Sequence, residues 1–146
     1  MSEYPGDFTG TPDLQYAPTP DDPTPSPGEV VWAWVPYEED HTQGKDRPVL
    51  LVGRDGDWLL GLQLTSHDHD LDSEQEAAAG RRWIDIGSGA WDGRDRRSEA
   101  RVNRILRVDP EAVRRDGAVL DEQVFAAVME AVRAAAEGRA YDDDPL

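Results

Sequence analysis

Arg47-Pro48-Val49-Leu50-Leu51-Val52 and Leu62-Gln63-Leu64-Thr65-Ser66 decide how this chain is read. The first is an arginine followed by an unbroken apolar run, the pattern of a central strand covered on both faces. The second closes a stretch, Asp57–Leu64, in which Trp58, Leu60, Leu62 and Leu64 alternate onto one face. Arg54-Asp55-Gly56-Asp57 between them has the composition of a tight hairpin turn. Thr65 falls in phase with Leu59 and Gln63, opposite the Leu60/Leu62/Leu64 face. One strand thus begins with a guanidinium and the other ends in two hydroxyls. Together such groups can hold a phosphodiester.

Working outward, Glu29–Val35 alternates Val31, Ala33 and Val35 against Trp32 and Trp34. Trp83–Ile86 reads as a short strand, and Glu99–Val108 as a fifth, with Val102, Leu106 and Val108 in phase. Asp109-Pro110 is an N-cap followed by proline at the first helical position, predicting a helical turn to about Arg115 that stops at Gly117. A longer helix is predicted over Glu122–Glu137. Asp121 is its N-cap, Val124, Phe125, Val128 and Val132 form its apolar stripe, and Gly138 terminates it. Short strands followed by a packing helix predict a small antiparallel α+β barrel.

The chain has 146 residues, enough for one domain with extensions. Its 31 acids against 15 bases give a net charge of −16. Such a balance argues against non-specific nucleic-acid binding and against an anionic membrane surface. Cysteine is absent, so there is no disulfide framework and no thiolate metal site. The N-terminus lacks basic residues and an apolar core segment, so no signal peptide is expected, and a cytoplasmic location is. Residues 1–27 hold seven of the eleven prolines, five acids and no base. That composition predicts a disordered acidic tail, partly polyproline II. Residues 138–146 form a second acidic tail, leaving 28–137 as the domain.

The domain resembles the PemK/MazF toxin family. Gly28-Glu29-Val30-Val31-Trp32 is similar to that family's opening strand, Arg47-Pro48-Val49-Leu50-Leu51-Val52 to its Arg-Pro-Val-Leu-Val signature, and Leu62–Ser66 to its strand ending in Thr-Ser or Thr-Thr. Arg101–Arg115, Gly117, Leu120 and a closing helix follow its C-terminal layout. The resemblance implies an SH3-like barrel with a C-terminal helix, usually a homodimer. It implies a toxin of a type II toxin–antitoxin system: a metal-independent endoribonuclease that cuts single-stranded RNA and is silenced by a cognate antitoxin. By the same likeness Arg47 and Thr65 take the catalytic positions, with Ser66 assisting, and no cofactor is expected. The chain departs from the pattern in Tyr37–Asp46, where only Gln43 remains of the family's Gly-x-Glu-Gln and three acids, Glu38, Glu39 and Asp40, run together.

Each of these residues also has a plain structural reading. Arg47 could pair with Asp46 or Glu29, and Thr65 and Ser66 could bond local backbone. Ten of the fifteen bases lie between Arg81 and Arg115. Arg94, Arg96, Arg97, Arg101 and Arg104 are candidates for RNA phosphates or for an acidic antitoxin segment; the alternative is a solvated face paired with surplus acids. His67-Asp68-His69-Asp70 has chelating residue types, but no distant third ligand is evident, so no metal is expected; His67 could also act as general acid or base. Trp32 or Trp91 could stack a base, whereas core packing accounts for most of the five tryptophans. The acidic N-terminal tail could occupy a basic groove in cis, or serve only solubility. A different class of function remains open: a non-catalytic binding module of the same fold, or a peptide-binding barrel scaffold.

Overall fold

A computed structural model of the chain describes residues 4–12, 15–66 and 80–146. Its centre is an antiparallel hairpin of β2 (Gly44–Asp55) and β3 (Trp58–Ser66), joined at Gly56-Asp57. Gly56 takes φ +60°, the left-handed geometry that a two-residue turn requires. Ahead of β2, strand β1 (Val30–Pro36) pairs with it in register Val30↔Leu50 to Pro36↔Gly44. β4 (Trp83–Gly87) pairs with β5 (Ser98–Arg101), and β5 and β6 (Leu106–Val108) both pair with β3. The sheet order is β1-β2-β3-β5-β4 with β6 beside β3. No ladder joins β1 to β4 among the described residues, so the class is α+β with an open antiparallel sheet. Among the described residues one helix, α1 (Glu122–Ala136), follows the strands.

The expected fifth strand is divided because β3 offers one edge to two partners. Leu64 pairs with Ala100, and an unbroken ladder would then set Asn103 opposite Gly61; Leu106 is there instead. Val102–Ile105 is the slack, turning Val102, Arg104 and Ile105 inward. The helical turn expected after Asp109 is one hydrogen-bonded turn that goes no further: Ala112 N–H donates to the Asp109 carbonyl and Glu111 N–H to its side chain. Arg114 instead exchanges both backbone hydrogen bonds with Trp32, and Leu120 N–H donates to Gly28, so 114–120 covers the free edge of β1. Tertiary pairing here overrides the local N-cap signal. Covering that edge also removes a template for unwanted strand addition.

Val49, Leu50, Leu51 and Val52 are all fully buried, as a two-faced strand demands. Leu50 and Val52 join Leu60, Leu62 and Leu64 under α1, which contributes Phe125, Val128, Met129 and Val132. Val49 and Leu51 face a second cluster with Val31, Ala33, Val35 and Leu59. Fully burying a Leu or Val side chain contributes ~1.5–3 kcal/mol, so this central strand is the main apolar anchor. Asp121 caps α1 through Gln123 N and Val124 N, and Gly138 at φ +70° follows its end.

Both segments read as tails lie against the sheet in their described residues. Phe8 N–H donates to Ile105 O, the Tyr16 hydroxyl donates to Leu120 O, and the Tyr16 ring lies over Phe125. Gly28 at φ +105° lets that ring approach where a Cβ would sit 2.7 Å from it. At the other end Tyr141 donates to Trp83 O, and Asp85 N–H donates to Asp143 O. Composition rightly describes these segments as apolar-poor; a few aromatic and ionic anchors nevertheless hold them on the domain.

Candidate functional site

Extending the β2–β3 ladder two residues past Val49↔Gln63 brings Arg47 level with Thr65. Both side chains are half-buried at the end of the hairpin. Two adjoining hollows share them. One, of about 210 Å³, is bounded by Tyr37, Glu38 and Glu39 of the β1–β2 loop and by Gln63, Arg101 and Arg104. The other, of about 430 Å³, adds Ser66 and is bounded by Trp32, Lys45, Trp91, Arg94 and Arg96. That volume lies within the range of roughly 300–1,000 Å³ typical of ligand sites.

The structural alternatives for Arg47 are taken by other residues. Asp46 pairs with Arg114 at 3.0 Å, and Glu29 pairs with Arg115 at 2.7 Å. Among the described residues, no ion pair or side-chain hydrogen bond engages the Arg47 guanidinium or the Thr65 and Ser66 hydroxyls. An arginine and a hydroxyl held at a rim without protein partners retain their full donor capacity for an anion.

The arginines expected to form one patch divide into distinct environments. Arg94 is exposed at the larger hollow. Arg96 borders it as well and donates to Asp92 at 3.0 Å. Burial would raise the Asp92 carboxyl, but the Arg94 backbone N–H and the Arg96 fork hold it below the usual carboxylate range. Arg97 is exposed away from both hollows, on Asp85 at 2.6 Å. Arg101 and Arg104 are 3% and 5% exposed. Arg101 grips Glu38 with two parallel bonds of 3.1 Å and Asn103 with its Nε at 2.8 Å. Arg104 donates to Asp7, to Gln63 Oε1 at 3.1 Å and to Pro36 O at 2.7 Å.

The three acids of the β1–β2 loop thus have different surroundings. Glu38 is bound to Arg101; Asp40 accepts from the Thr42 hydroxyl and N–H within the loop; Glu39 lines the smaller hollow. A run of like charge concealed this division, because only one of the three reaches a buried arginine. Gln63 is a site neighbour that sequence reading did not single out, although its phase with Thr65 was visible. Both tryptophans border the larger hollow: Trp91 is a core residue whose Nε1 donates to Ser98, and Trp32 is half-buried and donates to Trp91 O. His67-Asp68-His69-Asp70 lies outside the described residues.

A model of the PemK-like, MazF-like toxins of type II toxin–antitoxin systems matches residues 26–136. The chain belongs to that family. A search among curated proteins returns no match. The matched region of this PemK-like chain holds the six described strands and α1, with both hollows built from it; Tyr4–Phe8 lies outside. No helix among the described residues is long and apolar enough to cross a membrane.

Proposed function

We propose that this PemK-like chain is a toxin that cleaves single-stranded RNA without a metal ion, and that a cognate antitoxin silences it. The observation that carries this reading is that the Arg47 guanidinium and the Thr65 hydroxyl border the same two hollows, neither with a side-chain partner among the described residues. A 2′-hydroxyl attacks the adjacent phosphorus, the bond to the 5′-oxygen breaks, and the products are a 2′,3′-cyclic phosphate and a 5′-hydroxyl. Charge accumulates on the non-bridging oxygens during that step. Arg47 receives them bidentately, Thr65 donates to one, and Ser66 assists from the larger hollow. Arg94 and Arg96 take flanking phosphates there, and Trp32 supplies a ring edge for a base. Arg101 and Arg104 also border the smaller hollow, their charges met by Glu38 and Asp7.

The SH3-like barrel, the homodimer and a cytoplasmic setting belong to the same proposal. The pairing of β3 with β2, β5 and β6 in one antiparallel sheet supports the first. Trp34, 46% exposed on β1, supplies apolar surface for the second.

The test is incubation of the purified chain with varied single-stranded RNA in chelator, with end-group analysis of the fragments. Cyclic phosphate and 5′-hydroxyl ends are expected. Thr65→Val keeps the side-chain volume and removes the donor; its cleavage rate is expected to fall roughly ten- to a hundredfold, as for one hydrogen bond to a charged group. An unchanged rate in Thr65→Val would remove that hydroxyl from the chemistry.

A second reading, a non-catalytic binding module, draws on the carboxylates that occupy Arg101 and Arg104. Absence of cleavage for all RNAs at low salt, with partner binding retained, favours it.

A further inference from the structure

The buried arginine at the floor of the smaller hollow receives its counter-charge from the far end of the chain. Asp7 accepts from Arg104 Nε at 2.8 Å and from Nη2 at 3.3 Å. Around this pair lies the segment Tyr4–Phe8, turned at Gly6, whose φ is +103°. Phe8 forms an antiparallel bridge with Ile105, its N–H donating to Ile105 O at 2.9 Å. Arg107 donates to the Gly6 and Asp7 carbonyls and stands over the Phe8 ring at 5.6 Å. The Tyr4 hydroxyl donates to Asp7 at 2.5 Å, and its ring meets the edge of His41, 5.1 Å away.

We propose that His41, Arg104, Ile105 and Arg107 form an acceptor surface for a short aromatic–acidic segment, that Tyr4–Phe8 fills it in cis, and that the arm competes there with phosphates for Arg104. The acceptor residues all lie inside the family-matched region, and the arm lies outside it. The arm is therefore a ligand appended to the domain. One main-chain bridge, Phe8 to Ile105, sets the register, the Arg107 guanidinium holds the Gly6 and Asp7 carbonyls, and the Asp7 and Phe8 side chains supply the selectivity.

The competition follows from how Arg104 is fixed. Its bonds to Gln63 and to Pro36 O do not involve the arm. When Asp7 leaves, the guanidinium stays at the floor of the hollow that Arg47 and Thr65 share, and its charge is no longer compensated. The second anchor concerns the rim. His41 lies 4.0 Å from Asp7, so the arm also touches the β1–β2 loop that carries Glu38 and Glu39 over the hollow. Burial would raise the Asp7 carboxyl, but Arg104, Tyr4 and His41 together hold it below the usual carboxylate range, so the arm's charge is present at neutral pH. Burial raises the Tyr4 phenol, with Asp7 adding to the effect, so that phenol remains a donor. Tethering supplies the arm at a millimolar-scale effective concentration, so a weak cis contact still occupies the surface. The inference rests on the hollow being an anion site, and not on its cutting RNA.

The experiment compares the full chain with Phe8→Ala and Asp7→Asn. Amide exchange reports arm docking. Binding is read with a fluorescent, uncleavable 2′-O-methyl oligoribonucleotide and, separately, with inorganic polyphosphate. Both variants are expected to lose protection at Phe8 and to bind the oligonucleotide roughly tenfold more tightly, with a salt slope steeper by about 0.7 for one added contact. Phe8→Ala leaves the Asp7 carboxylate unchanged and removes only the ring that seats the arm, so it reads arm release even where Asp7→Asn does not fold. Tightening with polyphosphate alone would uphold the arm's role and count against the RNA reading. A released arm with unchanged affinity for both probes, or an arm that stays protected in both variants, overturns the proposal.

Discussion

Arg47→Ala is expected to abolish most RNA cleavage, lowering the rate by at least a hundredfold, while the fold and its thermal midpoint change little. Removal of one preorganised donor from a developing oxyanion typically costs about 2.7–4 kcal/mol of transition-state stabilisation. Arg47 has two such donors in a planar fork, so its loss belongs at or above that range. Stability is insulated for a separate reason. Among the described residues the guanidinium has no ion pair, so its removal leaves no buried carboxylate without a partner. Its acidic neighbours are paired elsewhere, Asp46 with Arg114 and Glu29 with Arg115. Parallel rate assays and melting curves check both parts. Arg47→Lys separates charge from fork: a lysine restores the charge but not the bidentate geometry, and only partial rescue is expected.

Glu29→Ala is expected to act in the opposite way, lowering stability by about 3–5 kcal/mol with its effect on chemistry following only from unfolding. Glu29 is 1% exposed. One carboxylate oxygen accepts from Ser26 N at 2.7 Å and Thr19 N at 3.2 Å; the other accepts from Arg115 at 2.7 Å. Arg115 also reaches the Thr19 and Asp22 carbonyls. Truncation therefore removes the Arg115 counter-charge and the acceptor of two backbone donors at once, and each buried donor left unmet costs ~1–3 kcal/mol. A fall in the melting midpoint of roughly 10 °C or more should follow for a domain of this size. Glu29→Gln keeps acceptor capacity and should fall between. A Glu29→Ala midpoint within a degree or two of wild type would show that this junction of segment 15–27 with β1 contributes little.

The contrast between the two acids and bases explains what was legible in the chain. The apolar run Val49–Val52 could only be a two-faced strand, and the Leu60/Leu62/Leu64 alternation fixed which face Thr65 would take. Asp121 and Gly138 marked the helix because caps act through neighbouring backbone. Family likeness then supplied the roles that periodicity cannot. Partners distant in sequence were not legible. Asp7 and Arg104 are 97 residues apart, and Glu38 and Arg101 are 63 apart. No local rule pairs them, so the basic stretch 94–107 read as one surface patch although two of its arginines point inward. The break at Val102–Ile105 was hidden for the same reason: it records how β3 shares its edge, not a preference of those residues. Composition likewise described residues 1–27 as a tail because it counts apolar surface and cannot weigh a few well-placed anchors such as Phe8 and Tyr16.

The most direct measurement of the site itself is a nuclear magnetic resonance titration of the chain with an uncleavable single-stranded oligoribonucleotide, following the Arg47 Nε–H and the Thr65 amide. The account predicts that both signals move together and saturate at one affinity, with Arg94 responding alongside them. Saturable binding that shifts other surfaces while Arg47 and Thr65 stay still would contradict it.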